Sequence, residues 1–181
     1  LFDYYPDLAG EEINFNSKSG VLKITKVEGG LCLNFPADQP VVTEIDSLFI
    51  EILDIEPLKL LRDKDDYLAV FENQKQIEDM QPKLSLLKKI NARGLVISAP
   101  GDEVDFVSRC FYPEAGIEED PVTGSAHTML TPYWANKFNK EELEAHQLSK
   151  RGGKLNCRLV NDRVFISGDS VIYFEGTISI V

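Results

Sequence analysis

The 181 residues, 43% hydrophobic and 27% charged, can bury a real core and have the make-up of an ordinary folded domain, not of a disordered segment. Thirty acidic against nineteen basic residues leave a net charge of -11 with no local Lys/Arg cluster, which excludes nucleic acid as an expected partner. Apolar runs such as Leu48-Phe-Ile50 are too short to cross a bilayer and no signal-peptide pattern opens the chain, so no membrane association and a cytoplasmic location are expected.

In chain order, Leu1-Phe2-Asp-Tyr-Tyr5 reads as the end of a helix, with no initiator Met before it. Val21 to Lys26 alternates apolar and polar residues with the period of a half-buried strand, and Leu31 to Phe35 follows across Gly29-Gly30, which predicts a hairpin. Pro36, Pro40 and the polar residues between them mark a boundary between two halves. Apolar runs at Leu48 to Ile52, Tyr67 to Phe71, Leu95 to Ala99 and Val104 to Phe111 read as strands, and Pro82 to Ile90 as a helix. Ala126 to Phe138 is apolar around too much of its circumference for a surface helix, and Pro132 inside it predicts a bend with Thr128 O unpaired or solvated. Lys140 to Gln147 reads as a short surface helix. The tail reads as a meander: Lys154 to Leu159, a turn at Asn161-Asp162, Val164 to Ser167, then Val171 to Ile180.

Cys32, Cys110 and Cys157 are far apart, odd in number and form no C-x-x-C pair, so they are expected as buried thiols. His127 and His146 have no zinc-site spacing, and no metal is expected.

The chemistry concentrates in Gly116-Ile-Glu-Glu-Asp-Pro-Val-Thr-Gly-Ser-Ala-His127. Pro121 pushes Asp120 towards extended backbone, Gly124 allows a sharp turn, and the first N–H groups of the following helix lack intrahelical partners. Those donors and the positive end of the helix dipole favour a carboxylate or phosphate, so a small anionic ligand fits between Asp120 and Ser125. Asp, Thr and Ser before a helix are also ordinary caps, and both roles can coexist. Glu118 and Glu119 read as surface acids. Ser125 and His127, two positions apart on a helix, point about 200° apart and cannot act as nucleophile and base.

This string, with Arg109 and Phe111 upstream, Pro132-Tyr-Trp134 in the helix and Arg151-Gly-Gly153 before the final strands, resembles the signature of the phenazine biosynthesis PhzF-like family, relatives of diaminopimelate epimerase. The resemblance implies an α+β fold in which each half wraps a curved, mostly antiparallel sheet around a central helix. It implies that residues 1–38 are the remnant of an incomplete first half, and that residues 39–181 form the second, with its helix at about 125–138. It also implies a cofactor-independent isomerase moving a proton on a small carboxylated metabolite. Asp120 then serves as the catalytic-site aspartate and, with Thr123, Gly124 and Ser125, as the substrate-binding set. The acid/base is a glutamate in an earlier stretch, which also carries a Gly-His segment; neither is present here, so these residues alone are expected to be inactive. Homodimers are common in the family. Cys110, on a predicted strand, does not match the helix-start cysteines of diaminopimelate epimerase, whose place Ser125 takes. Arg109 is expected either to pair with an acid near the cleft or to make a structural salt bridge. The alternative is a non-catalytic binding or interaction protein that kept the fold.

Overall fold

In the computed structural model, residues 12–17, 20–28 and 30–177 are described. Three antiparallel strands come first: β1 (Glu12–Ser17), β2 (Gly20–Val27) and β3 (Gly30–Pro36). Then follow β4 (Val41–Thr43), α1 (Ser47–Leu53), β5 (Lys59–Arg62), β6 (Asp66–Val70), α2 (Gln74–Asp79), α3 (Leu84–Leu87), β7 (Gly94–Pro100), β8 (Phe106–Tyr112) and β9 (Ile117–Asp120). The long helix α4 (Gly124–Phe138) precedes β10 (Glu142–Gln147), β11 (Gly153–Val160) and β12 (Arg163–Gly168).

The strands form one sheet in the order β1-β2-β3-β12-β11-β10-β8-β7-β6-β5-β4, with β9 on β8. Its pairings are antiparallel except β6 with β7 and β10 with β8. The expected hairpin is β2 and β3, and β3 continues into β12 through Leu33↔Ile166. Between β11 and β12 the chain reverses at Asn161, whose φ of 54° lies in the left-handed region that Asn tolerates.

The central strands β7 and β8 are covered on both faces and buried almost throughout; they are mainly apolar, and Ser98, Ser108 and Arg109 are the buried polar exceptions. Phe106, Cys110 and Tyr112 of β8 face α4 with Met129, Leu130 and Trp134, whereas Val107 and Phe111 face the opposite layer with Phe49, Ile52, Ile77 and Leu87 from α1, α2 and α3. Trp134 stacks on Phe106 at 5.9 Å and donates its indole N–H to Ser98 Oγ at 2.9 Å.

Pro132 leaves Thr128 O without its helical donor, and the expectation that this carbonyl is unpaired or solvated is corrected. The N–H of Asp38, from the segment between β3 and β4, donates to it at 3.0 Å. Thr128 Oγ1 also meets the Asp38 carboxylate and lies 2.6 Å from Ser125 O. The helix ends at Asn139, in the left-handed region with φ 51°.

Other expectations also change. Leu48 to Ile52 is helical, not a strand: Asp46 caps the backbone N–H of Leu48, and Phe49, Ile52 and Leu53 bury one face at helical spacing. Lys140 to Gln147 is not a helix, because Leu143, Ala145 and Gln147 point inwards alternately as β10 pairs with β11 and β8. The helix expected over 82–90 is limited to α3. The expected strand at 171–180 is absent over 171–177, where Val171, Ile172, Tyr173 and Phe174 are exposed; its remainder, like Leu1 to Tyr5, lies outside the described residues. No helix of the described residues is long and apolar enough to cross a membrane.

Candidate active site

The acidic run 118–120 lies on β9, with Asp120 in register with Cys110 of β8. Glu118 is exposed, but Glu119, expected as a surface acid, is drawn inwards by Arg109. Arg109, 9% exposed, reaches Glu119 through Nε at 2.7 Å and Nη2 at 3.1 Å, and its Nη1 donates to Ile77 O and Met80 O beside the end of α2. This bidentate pair holds β9 while satisfying carbonyls at the end of α2.

At the end of β9 the half-buried Asp120 accepts the Thr123 hydroxyl at Oδ2, 2.5 Å away. Thr123, 6% exposed, is the N-cap residue of α4 with extended backbone, but its side chain caps no helix N–H because it is turned to Asp120. Its own N–H goes to Gln147 Oε1 at 2.8 Å. Gly124 opens the helix with nothing within 4 Å of where a Cβ would stand, and Ser125 beside it is exposed. The helix start is therefore open at Gly124 and Ser125, where the positive end of the dipole favours an anion.

Two partners were not legible in the sequence. Arg93 Nη2 donates to Ser125 Oγ at 3.2 Å, while its Nε donates to Asp66 Oδ1 at 3.0 Å and Nη2 to Asp66 Oδ2. Asp66 is 2% exposed, and the Arg93 guanidinium lies over the Tyr112 ring at 5.2 Å. Because Ser125 Oγ already accepts from Arg93, its own O–H is free to donate to a ligand. The other partner is Gln147, which bonds the turn at Asp120 and Thr123 and is legible only once residues 142–147 are read as a strand whose inward positions should be apolar.

The turn is braced from below. Ser149 Oγ donates to Pro121 O at 2.7 Å and accepts the Gly152 N–H at 3.0 Å. Gly153 packs so closely that a Cβ there would stand 2.1 Å from Val122 Cγ2. Gly153→Ala therefore displaces Val122 and the turn; a loss of about 1–3 kcal/mol is expected in urea unfolding, as for overpacked sites. A hollow lined by Glu118, Glu119, Pro121, Ser149, Lys150 and Arg151 lies on the flank of the turn, and Asp120 and Ser125 are not among its lining residues.

His127 is fully buried and packs beside Phe106, its ring centroid 6.0 Å away. Its Nδ1 lies 2.7 Å from Thr123 O, and since a carbonyl only accepts, Nδ1 carries the proton. Burial drives its pKa from 6.5 down to about 4 despite that bond, so the native imidazole is neutral. Between these values the unfolded chain binds the proton and the folded one does not. Stability is full above about pH 6.5 and falls as the pH drops towards 4, by about 3 kcal/mol for this group. Urea midpoints at pH 7 and pH 4.5 should differ more for the native protein than for His127→Gln; equal differences would remove His127 as the cause. Cys110 and Cys157 are buried thiols, raised by desolvation to about 12, and Cys32 is raised too. Among the described residues no group of three or more His, Cys, Asp or Glu could hold a metal ion.

The mixed sheet packed on one long helix is the PhzF and epimerase-like fold, shared with solved structures. The model of the family described as phenazine biosynthesis-like protein matches residues 7–176, and the chain belongs to that family. A protein named uncharacterized isomerase from Halalkalibacterium halodurans is 42% identical over 166 residues, covering 90% of this chain and 63% of the relative. A second of that name from Pseudomonas aeruginosa is 41% identical over 180 residues, covering 98% and 68%. The crystal structure of a PhzF-family phenazine biosynthesis protein from Enterococcus faecalis superposes with a TM-score of 0.92 at 36% identity, covering 99% of this chain and 69% of that one. A predicted epimerase from Pseudomonas aeruginosa, at 14% identity and a TM-score of 0.59, shares the fold. The chain thus spans about two thirds of the length of these relatives, and less than that of the first.

Proposed function

We propose that the complete protein is a cofactor-independent isomerase of the cytoplasm that moves a proton between carbons of a small carboxylated metabolite. The observation that carries this reading is the helix start at Gly124-Ser125, uncapped by Thr123, open to solvent and flanked by the half-buried Asp120. Gly124 N–H, Ser125 N–H and the Ser125 hydroxyl bind the substrate's carboxylate, and Asp120 hydrogen-bonds a neighbouring polar group to orient the carbon that loses its proton. The acid/base is the glutamate that the family resemblance implies in a stretch outside these residues, within a first half of which residues 1–38 are the remnant. The isomerase names of the relatives agree with this class of reaction.

The experiment is incubation of the complete protein in D2O with a panel of small amino and hydroxy carboxylates. The proton passes through an acid/base group that exchanges with solvent, so mass spectrometry should find deuterium in the isomerised product. A non-catalytic binding protein is the second reading, favoured by one observation: Asp120 Oδ2 is already engaged by Thr123 inside the turn. It predicts carboxylates that bind without any deuterium uptake.

A further inference from the structure

Strand β10 sends Leu143 and Ala145 into the apolar layer beneath α4, and the next inward position is Gln147, 1% exposed. An amide buried there needs partners for both ends. All three of its bonds go to one turn: Oε1 accepts the Thr123 N–H at 2.8 Å, and Nε2 donates to Asp120 O at 2.7 Å and to Thr123 Oγ1 at 3.2 Å. The backbone groups fix which end is which, since an N–H only donates and a carbonyl only accepts. With its oxygen already receiving a hydrogen from Nε2, the Thr123 hydroxyl directs its own proton to Asp120 Oδ2.

We propose that Gln147 is a positioning residue for Asp120: acting through Thr123, it sets the direction of the hydroxyl proton, holds Oδ2 as an acceptor and leaves Oδ1 for a ligand. Gln147 itself touches no ligand. Its importance for catalysis rests on the reading of Asp120 given above, but the wiring can be tested without it. A leucine at 147 would be apolar like its inward neighbours, yet would leave the buried Thr123 N–H and the half-buried Asp120 carbonyl without these bonds.

The test is joint neutron and X-ray crystallography of the perdeuterated complete protein as wild type, Gln147→Glu and Thr123→Ser. The wild type should show the Thr123 deuteron pointing at Asp120 Oδ2, and Thr123→Ser should keep that direction. In Gln147→Glu, crystallised at a pH at which the neutron map shows no deuteron on the new carboxylate, that group has no hydrogen to donate, so the Thr123 deuteron should turn to Glu at 147 and Asp120 should lose its donor. A deuteron that stays on Asp120 in this variant, or points elsewhere in the wild type, overturns the proposal. Should Gln147→Glu not fold, Thr123→Val keeps the Gln147 bonds to the backbone and removes only the hydroxyl. There the Asp120 carboxylate should rotate from its wild-type plane, and an unmoved carboxylate overturns the proposal equally. Loss of the functional reading looks different: Asp120→Asn would then leave turnover unchanged while the deuteron still pointed as described.

Discussion

Asp120→Asn in the complete protein should lower kcat/KM about 100-fold or more on a substrate identified by deuterium uptake, with unfolding stability nearly unchanged. The substitution keeps the shape of the side chain, and its amide oxygen still accepts the Thr123 hydroxyl that now meets Oδ2 at 2.5 Å. What disappears is the negative charge and one of two acceptor oxygens, replaced by a donor where a ligand's N–H or O–H must dock. Misplacement of a bound substrate by about 1 Å is enough for an effect of this size, because proton transfer requires the reacting atoms within hydrogen-bond reach. Turnover equal to that of the native protein would remove Asp120 from the mechanism and leave it a helix-preceding turn acid. A large loss together with a collapse in stability would point the same way, to a structural residue.

The largest effect on stability is expected at Arg109. Truncation to Ala removes a 9% exposed guanidinium that lies over Phe111, at 5.2 Å from the ring centroid, and bridges Glu119 to two carbonyls at the end of α2. A destabilisation of about 3–5 kcal/mol should follow, since the Glu119 carboxylate and both carbonyls lose their donor in a poorly solvated place. For a chain of this size that lowers Tm by roughly 10 °C or more. Glu119→Ala should be nearly as harmful, because it strands the buried cation. The double variant Arg109→Met, Glu119→Leu should lose less than Arg109→Ala alone, since an apolar pair leaves no unpaired charge. Thermal and urea unfolding of the four proteins decides the matter; a single-variant loss below about 1 kcal/mol would reduce the pair to an ordinary surface ion pair. Because β9 carries both Glu119 and Asp120, the same change should also loosen the acid at the site.

What could be read from the residues follows from how local the determining forces are. The strands β2 and β11 alternate apolar and polar residues over most of their length, and each pairs with a neighbour in sequence, β3 and β12, across a short turn, so period and turn chemistry suffice. The turn from Asp120 to Ser125 is legible for a similar reason: Pro121 and Gly124 constrain their own backbone and that of their neighbours. Leu48 to Ile52 misleads because its five apolar or acidic residues suit either period, and the deciding signal is the cap at Asp46, one residue outside the helix. Glu142 to Gln147 misleads in the other direction, since Glu, Leu and Ala favour a helix intrinsically while pairing on both sides imposes a strand. Arg93, Asp66 and Gln147 reach the site from strands or loops more than twenty residues away, and only the sheet order brings them there. Arg109 and Glu119 are closer in sequence, yet their pairing depends on β9 folding back on β8.

Pro132 has an effect well beyond its own turn. By withholding its nitrogen it lets the backbone of Asp38 fasten to Thr128, whose hydroxyl sits against Ser125 O. The linker that leaves β3 is thereby tethered to the first turns of α4, and that helix cannot slide along its axis without tugging the linker. Ser125 and the passage at Pro36 to Pro40 are thus joined through Thr128 by two hydrogen bonds, which ties the mouth of the site to the segment linking β3 to β4.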